Sequence, residues 1–227
     1  MGLVRRLGIG LAAFVVAAGI DWIGIGPRDV LFWNLDQRDA GFRMLDRVPF
    51  IIKSSVVEAG EVVHPLPEGD PLVLDMDVDI YLSENRTSGL VIVQDGKVRL
   101  ERYSLDFKAD GRWTSFSVAK SLTSTLVGAA IADGAIASID DPLTTYIEEL
   151  RGSAYEDVTV AQLLTMTSGV AWNEDYDDPN SDVAKFDTMT VEPGQSAIAT
   201  YMASLGRAHP AGNVWNYSTG ETNLIGV

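Results

Sequence analysis

The chain has 227 residues, 46% of them hydrophobic, which is enough to bury a sizeable core in one or two domains. Its formal net charge of −15 argues against nucleic acid or an anionic membrane surface as a partner, because both attract cations. Cysteine is absent, which excludes disulfides, thiolate catalysis and lipid attachment through cysteine. The two histidines, His64 and His209, are far apart and lack ligand spacing, so we expect no metal site and no cofactor.

Residues 1–26 have the pattern of a signal peptide or a membrane anchor. Arg5 and Arg6 precede an uncharged run over residues 7–20, which fits the hydrophobic region of a signal peptide. Continued past Asp21, the run has nearly the length of a membrane span, and the two arginines favour the cytoplasmic side for its start. The alternative is a buried helix of a soluble domain. We expect an exported protein, either secreted or held by this segment at the periplasmic face of the inner membrane.

Residues 27–85 are predicted to form an N-terminal extension that packs on the domain after it. Residues 65–71 read as a loop because of their prolines and glycine. Residues 72–82 mix apolar and acidic side chains and are expected to lead into the main domain.

Residues 86–227 are predicted to form the main domain. Two β runs, residues 89–94 and 97–103, are joined by Asp95-Gly96, the strongest short-range signal for a hairpin. Helical patterns follow, and no internal repeat is present. A hairpin followed by helices indicates an α+β fold, with an antiparallel sheet flanked by helices rather than a βαβ array.

Two helices are predicted within this domain. Apolar residues at three- to four-residue spacing predict the first over residues 118–133. Thr159, with Gln162 three residues later, forms a capping-box pattern at the start of the second.

Ser117 and Lys120 lie at the start of the first helix, where a spacing of three residues places them on one face. A serine hydroxyl needs a base to become a nucleophile, and a lysine in a mostly apolar turn can lose part of its proton affinity and serve as that base. Taken alone, the pair is common and favours a cap-like hydroxyl and a lysine that reaches solvent. A Ser-His-Asp triad is a further alternative, although neither histidine lies in a recognisable motif.

Several motifs follow one another in a specific order after the hairpin. They are Phe116-Ser117-Val118-Ala119-Lys120-Ser121, Gly134-Ala135-Ile136 before Asp140-Asp141-Pro142, and Leu163-Leu164-Thr165-Met166-Thr167-Ser168-Gly169. This order resembles the serine β-lactamase-related superfamily, which holds class C β-lactamases, DD-peptidases, esterases and 6-aminohexanoate-dimer hydrolases. The acidic stretch at residues 172–182 looks like that of the 6-aminohexanoate-dimer hydrolase branch. The resemblance covers roughly residues 86–227 and implies a β-lactamase/DD-peptidase-like fold.

The resemblance also implies roles for matching residues. Ser117 matches the nucleophile that forms the acyl-enzyme, and Lys120 matches its base partner. Tyr217 matches the tyrosine of the superfamily's second motif, whose hydroxyl passes the proton to the leaving group. Thr219 departs from the class C pattern, which has asparagine there, so a contact with a β-lactam amide is not expected.

Tyr176 lies in the acidic stretch, which is expected to cover the mouth of the cleft as a loop. The branch resemblance implies that Tyr176 contacts the substrate amide, and the alternative is an aromatic side chain packed for stability. The carboxylates of this stretch are interpreted as solvated, with attraction of a substrate ammonium group as the alternative; they are Glu174, Asp175, Asp177 and Asp178. The spacing does not fit a calcium loop.

The superfamily's third motif, lysine or histidine followed by Thr/Ser-Gly, has no match before Val227. We therefore expect an incomplete domain from the N-terminal portion of a longer enzyme, with little activity by itself. The resemblance implies a serine hydrolase that forms an acyl-enzyme on small linear amides or carboxylic esters. The enzymatic alternative is a β-lactamase or DD-peptidase. The non-enzymatic one is a catalytically inactive, membrane-anchored binding protein of the same fold.

Overall fold

The computed structural model describes residues 33–47, 56–58, 60–186, 189–191 and 193–227. The signal peptide or membrane anchor predicted at residues 1–26 lies outside them. Among the described helices, none is both long enough and apolar enough to cross a membrane. The chain divides into two compact units, Met1–Thr114 and Ser115–Val227. The domain boundaries expected from the sequence stay predictions.

A β-hairpin is the main regular structure described in the first unit. Its strands, β1 (Gly89–Gln94) and β2 (Lys97–Tyr103), pair antiparallel with one register shift midway. Asp95 and Gly96 have φ values of 51° and 71°, so both lie in the left-handed region that a tight two-residue hairpin turn requires. The hairpin and both strand boundaries predicted from the sequence are confirmed.

Part of the predicted extension runs alongside β2 and forms a parallel bridge between Glu68 and Val98. The Val98 N–H donates to the Pro67 carbonyl, and the Gly69 N–H donates to the Val98 carbonyl, both at 2.9 Å. These two bonds give the proline-rich segment an extended path beside the strand.

Two short helices, α1 (Leu35–Gly41) and α2 (Val78–Glu84), and a 3-10 turn at Leu45–Arg47 complete the regular structure described in this unit. Asn34 and Gln37 form a reciprocal capping box at the start of α1, and Asp77 caps α2. Each cap satisfies N–H groups that have no partner inside the helix.

The regular elements described in the second unit are helices and 3-10 turns. Its elements are a 3-10 turn at Phe116–Val118, α3 (Ala119–Ala132), 3-10 turns at Leu143–Thr145 and Glu148–Leu150, α4 (Val160–Leu164), α5 (Asp182–Lys185), α6 (Ala197–Ala203) and α7 (Thr219–Leu224). All but α3 are too short to be stable alone, so packing on a shared core holds them. The centre of that core consists of fully buried side chains, among them Leu150, Tyr155, Val158, Ala199 and Met202.

Helix α3 confirms the helix predicted over residues 118–133, with Gly134 at φ 77° directly after its last turn. Its apolar residues do not form one buried face. Val127 is buried, whereas Leu122 and Leu126 are 69% and 68% exposed.

Helix α4 begins at the predicted capping box, in which Thr159 accepts from the Gln162 N–H and Gln162 accepts from the Thr159 N–H. The small antiparallel sheet and the helices are therefore both present, as the α+β prediction requires.

Candidate active site

Ser117 lies in the 3-10 turn that leads into α3, and it is exposed. The residue before it, Phe116, has a φ of 41°, a conformation that side chains other than glycine adopt at a cost. In the described part of the chain, no hydrogen bond to the Ser117 side chain is found. The hydroxyl is thus held on a strained turn and is open to an incoming group.

Lys120 lies in the first turn of α3 and is half-buried. Its Nζ donates to Thr219 Oγ1 at 3.2 Å, a contact between residues 99 positions apart. The same nitrogen lies 5.2 Å from the centroid of the Tyr217 ring, within range of a cation–π interaction. The structure therefore brings the predicted base beside the predicted proton-transfer tyrosine.

The segment that carries Tyr217 is held from both sides by backbone contacts. The Asn216 N–H donates to the Met166 carbonyl at 3.0 Å, and the Asn216 side chain donates to the Trp172 carbonyl at 3.1 Å. Ser218 is buried and caps α7 by accepting from the Glu221 N–H at 3.1 Å. The motif that contains Met166 thus positions the tyrosine segment.

Glu174 is the most heavily bonded side chain beside these residues. Its Oε2 accepts from the Thr219 N–H at 2.8 Å and from the Trp172 indole N–H. Its Oε1 accepts from the Tyr176 hydroxyl at 2.8 Å and from Thr219 Oγ1. The expectation of a solvated charge is wrong for Glu174, because these four donors occupy both carboxylate oxygens.

Tyr176 lies in a loop, as predicted, and is 47% exposed. Burial of the rest of the ring and the hydrogen bond to Glu174 raise the pKa of Tyr176 above its usual 10.0. The phenol therefore stays protonated at neutral pH, donates its one proton to Glu174 and can still accept a hydrogen bond through its oxygen. Its hydroxyl is held through Glu174 next to Thr219.

Two other acidic side chains of the loop, Asp175 and Asp178, organise its backbone. Asp175 accepts from the Asp177 N–H at 2.9 Å, and Asp178 accepts from the Asn180 N–H at 2.8 Å. In the ranges that the structure describes, no group of three acidic or histidine side chains could hold a metal ion.

Helix α7 carries a buried carboxyl, Glu221, that the sequence analysis did not single out. Glu221 is 3% exposed and accepts from Ser168 Oγ and, at 3.4 Å, from the Tyr155 hydroxyl. Burial raises the pKa of Glu221 from 4.5 to about 7, although both hydrogen bonds lower it. A signal for its place was present, because Ser218 and Glu221 have the spacing of a capping box.

Comparison with known proteins matches this arrangement to a family. The Beta-lactamase family profile matches residues 79–227, which is well over half of the chain. The chain belongs to the Beta-lactamase family. The resemblance read from the Ser117, Lys120 and Tyr217 motifs is thereby confirmed at the level of the family.

Two curated relatives illustrate the family's range. The 6-aminohexanoate-dimer hydrolase of Paenarthrobacter ureafaciens is 39% identical over 111 residues, which are 49% of this chain and 28% of that protein. A beta-lactamase of Pseudomonas fluorescens is 28% identical over 106 residues, which are 43% of this chain and 29% of that one. The chain thus spans less than a third of the length of either relative.

Solved structures show the same fold at low sequence identity. A Bacillus anthracis protein named as a candidate 6-aminohexanoate-dimer hydrolase has a TM-score of 0.56 at 19% identity, covering 72% of this chain and 47% of that one. A Bacteroides dorei protein named as a candidate beta-lactamase has a TM-score of 0.51 at 22% identity, covering 66% and 42%. Both likenesses establish the β-lactamase-like fold and nothing finer.

Proposed function

We propose that this protein is a serine hydrolase that forms an acyl-enzyme on small linear amides or carboxylic esters. The observation that carries the proposal is the contact of Lys120 with both Thr219 and Tyr217. It joins the start of α3, where Ser117 lies, to a segment about a hundred residues away. A lysine whose only role was to carry a solvated charge would not need this contact with Thr219 and Tyr217.

The proposed reaction is acyl transfer through Ser117. Its Oγ bonds to the carbonyl carbon of the substrate while Lys120 accepts the hydroxyl proton. The Tyr217 hydroxyl then gives its proton to the departing amine or alcohol and takes up the proton held by Lys120, and the bond from the departing group to the carbonyl carbon breaks. Water attacks the resulting ester, releases the carboxylic acid and returns the proton to Ser117. The positive end of α3 favours the negative charge that develops on the carbonyl oxygen.

A pocket beside the segment that carries Tyr217 is proposed to receive a short acyl part of the substrate. The pocket of about 320 Å³ borders this segment and includes Trp172, Val214 and Trp215 in its lining. The apolar and aromatic side chains bind an aliphatic chain, while His209 and Asn216 give the same pocket a polar side. The Tyr176 hydroxyl, whose proton goes to Glu174, is proposed to accept from the amide N–H of the substrate. The relative from Paenarthrobacter ureafaciens is named for hydrolysis of a linear amide dimer, which fits this substrate class.

The test uses the complete gene product and a fluorophosphonate probe, together with hydrolysis of p-nitrophenyl esters. The Ser117→Ala variant is expected to lose labelling and turnover, because it removes the hydroxyl that is proposed to attack the substrate. Ser115→Ala is the matched control, since Ser115 lies two residues away and its side chain makes no capping bond. Equal labelling of Ser117→Ala and wild type would remove Ser117 from the mechanism.

The alternative functions are distinguished by penicillin trapping and by the labelling of the wild type. A β-lactamase or DD-peptidase would be trapped covalently by penicillin at Ser117, and Thr219 in place of the class C asparagine weighs against that outcome. An inactive binding protein would show neither labelling nor turnover in the wild type.

A further inference from the structure

We infer that Glu174 is a positioning residue that orients Lys120 through the Thr219 hydroxyl and holds Tyr176 at the same time. The inference rests on the proposed function, since it assigns a task to a side chain that touches neither substrate nor nucleophile. It starts from the hydrogen bonds at Glu174, where donors from two segments 45 positions apart meet one carboxylate.

The direction of each bond follows from the chemistry of the groups. An ionised carboxylate only accepts, and a threonine hydroxyl has one proton to donate. Because Thr219 Oγ1 gives its proton to Glu174, it can only accept from Lys120. Glu174 therefore determines which group donates and which accepts in the hydrogen bond between Lys120 and Thr219.

The direction of this hydrogen bond matters for Lys120 as the proposed base. A neutral lysine has two N–H groups and one lone pair, and the lone pair must stay free for the Ser117 proton. A Thr219 hydroxyl that accepts uses one N–H of Lys120 and leaves the lone pair open. A Thr219 hydroxyl that turned its proton toward Lys120 would compete with Ser117 for that lone pair.

The same carboxylate also determines where the loop tyrosine lies. Tyr176 and Thr219 donate to one oxygen of Glu174, while the buried Trp172 and the Thr219 backbone donate to the other. The position of the loop and the position of Lys120 thus depend on a single group. A glutamine has one accepting oxygen and one donating NH₂, so it cannot satisfy four donors, and one pair must reorient.

The test measures kcat, KM and the rate of fluorophosphonate labelling for variants of the complete protein, with melting temperature as the check on folding. Glu174→Gln and Thr219→Val are each expected to lower kcat and the labelling rate by about ten- to a hundred-fold, as expected for loss of a charged hydrogen bond. Thr219→Ser keeps the hydroxyl and is expected to stay within about three-fold of wild type. Glu149→Gln is the matched control, because Glu149 is exposed and has no hydrogen-bond or ion-pair partner among the described residues.

A double-mutant cycle separates positioning from general damage. If Glu174 acts through the Thr219 hydroxyl, Glu174→Gln/Thr219→Val is expected to lose no more kcat than the worse single variant. Tyr176→Phe, by contrast, is expected to raise KM more than it lowers kcat. Multiplied losses in the double variant would overturn the inference, and so would a Glu174→Gln variant that matches Glu149→Gln.

Failure of the inference is distinguishable from failure of the proposed function. Normal labelling of Ser117→Ala refutes the hydrolase mechanism itself. Loss of labelling in Ser117→Ala together with normal kinetics in Glu174→Gln refutes only the role of Glu174.

Discussion

Gly169 closes the motif that holds the tyrosine segment, and its backbone leaves no room for a side chain. Its φ is 74°, and a Cβ there would overlap the carbonyl oxygen of His209. The Gly169 carbonyl also accepts from the N–H groups of Ala208 and His209, each at 2.9 Å. Glycine is therefore required at this position for two reasons, its positive φ and the close approach of a second chain segment.

Gly169→Ala is expected to be destabilising by clearly more than the cost of a positive φ alone. Gly152 is the matched control, because its φ is 73° and no atom lies within 4 Å of a Cβ placed there. Gly152→Ala is expected to cost about 1 kcal/mol, the cost of a left-handed conformation for alanine. Thermal unfolding of the two variants measures the difference. Equal melting temperatures would show that the segment at His209 moves aside without cost.

Single residues were predictable where a local rule decided their role. Asp95 and Gly96 have the conformations that their pairing implied, and Ser117 and Lys120 lie at the helix start where their spacing placed them. The hydrogen bonding of Glu174 was not predictable, because nothing in the local sequence distinguishes it from the neighbouring acidic residues. Its donors come partly from Thr219, 45 positions later, and only the tertiary fold brings them together.

At the scale of elements, side-chain caps determine where the short helices begin. Helix α7 starts at Thr219 because Ser218 caps it by accepting from the Glu221 N–H. Helix α6 starts after Ser196 in the same way. The exposed Leu122 and Leu126 show the limit of periodicity, since spacing predicts a helix without predicting which face is buried.

Thr159→Ala is expected to cost about 1 kcal/mol, because it removes the oxygen that accepts from the Gln162 N–H in the first turn of α4. Thr159→Ser keeps that oxygen and is expected to stay close to wild type. Chemical denaturation of both variants measures the difference. If serine is as destabilising as alanine, the methyl group of Thr159 stabilises the helix and the cap does not.

At the scale of the whole second unit, the buried carboxyl of Glu221 connects α7 to two other chain segments through Tyr155 and Ser168. Its second oxygen, Oε2, has no hydrogen-bond partner in the described part of the chain. Arg207 donates to the Ser168 carbonyl at 3.1 Å, but its charge is paired with Asp157. An ionised Glu221 would therefore be buried without a counter-charge, and the neutral acid is the favoured form in the folded protein.

The free energy of unfolding is expected to fall as the pH rises between about 4.5 and 7 because of Glu221. The folded protein, in which the pKa is about 7, holds the proton that the unfolded chain, near 4.5, has released. This contribution is complete below pH 4.5 and lost above pH 7, and its full size is about 3 kcal/mol.

Denaturant unfolding of wild type and Glu221→Gln across this pH range measures this contribution. The difference between the two proteins is expected to change with pH, while Glu149→Gln is expected to follow wild type throughout. A constant difference would contradict the prediction.

The contact between Lys120 and Thr219 also sets an order of events during synthesis. The hairpin and α3 need only nearby residues, whereas this contact closes a loop of 99 positions. At ribosomal speeds of about 5–20 residues per second, Thr219 is made about 5–20 seconds after Lys120. Throughout that interval the nascent chain carries Ser117 and Lys120 without the partner that orients the lysine. The contact between Lys120 and Thr219 therefore forms late, once the chain has reached α7.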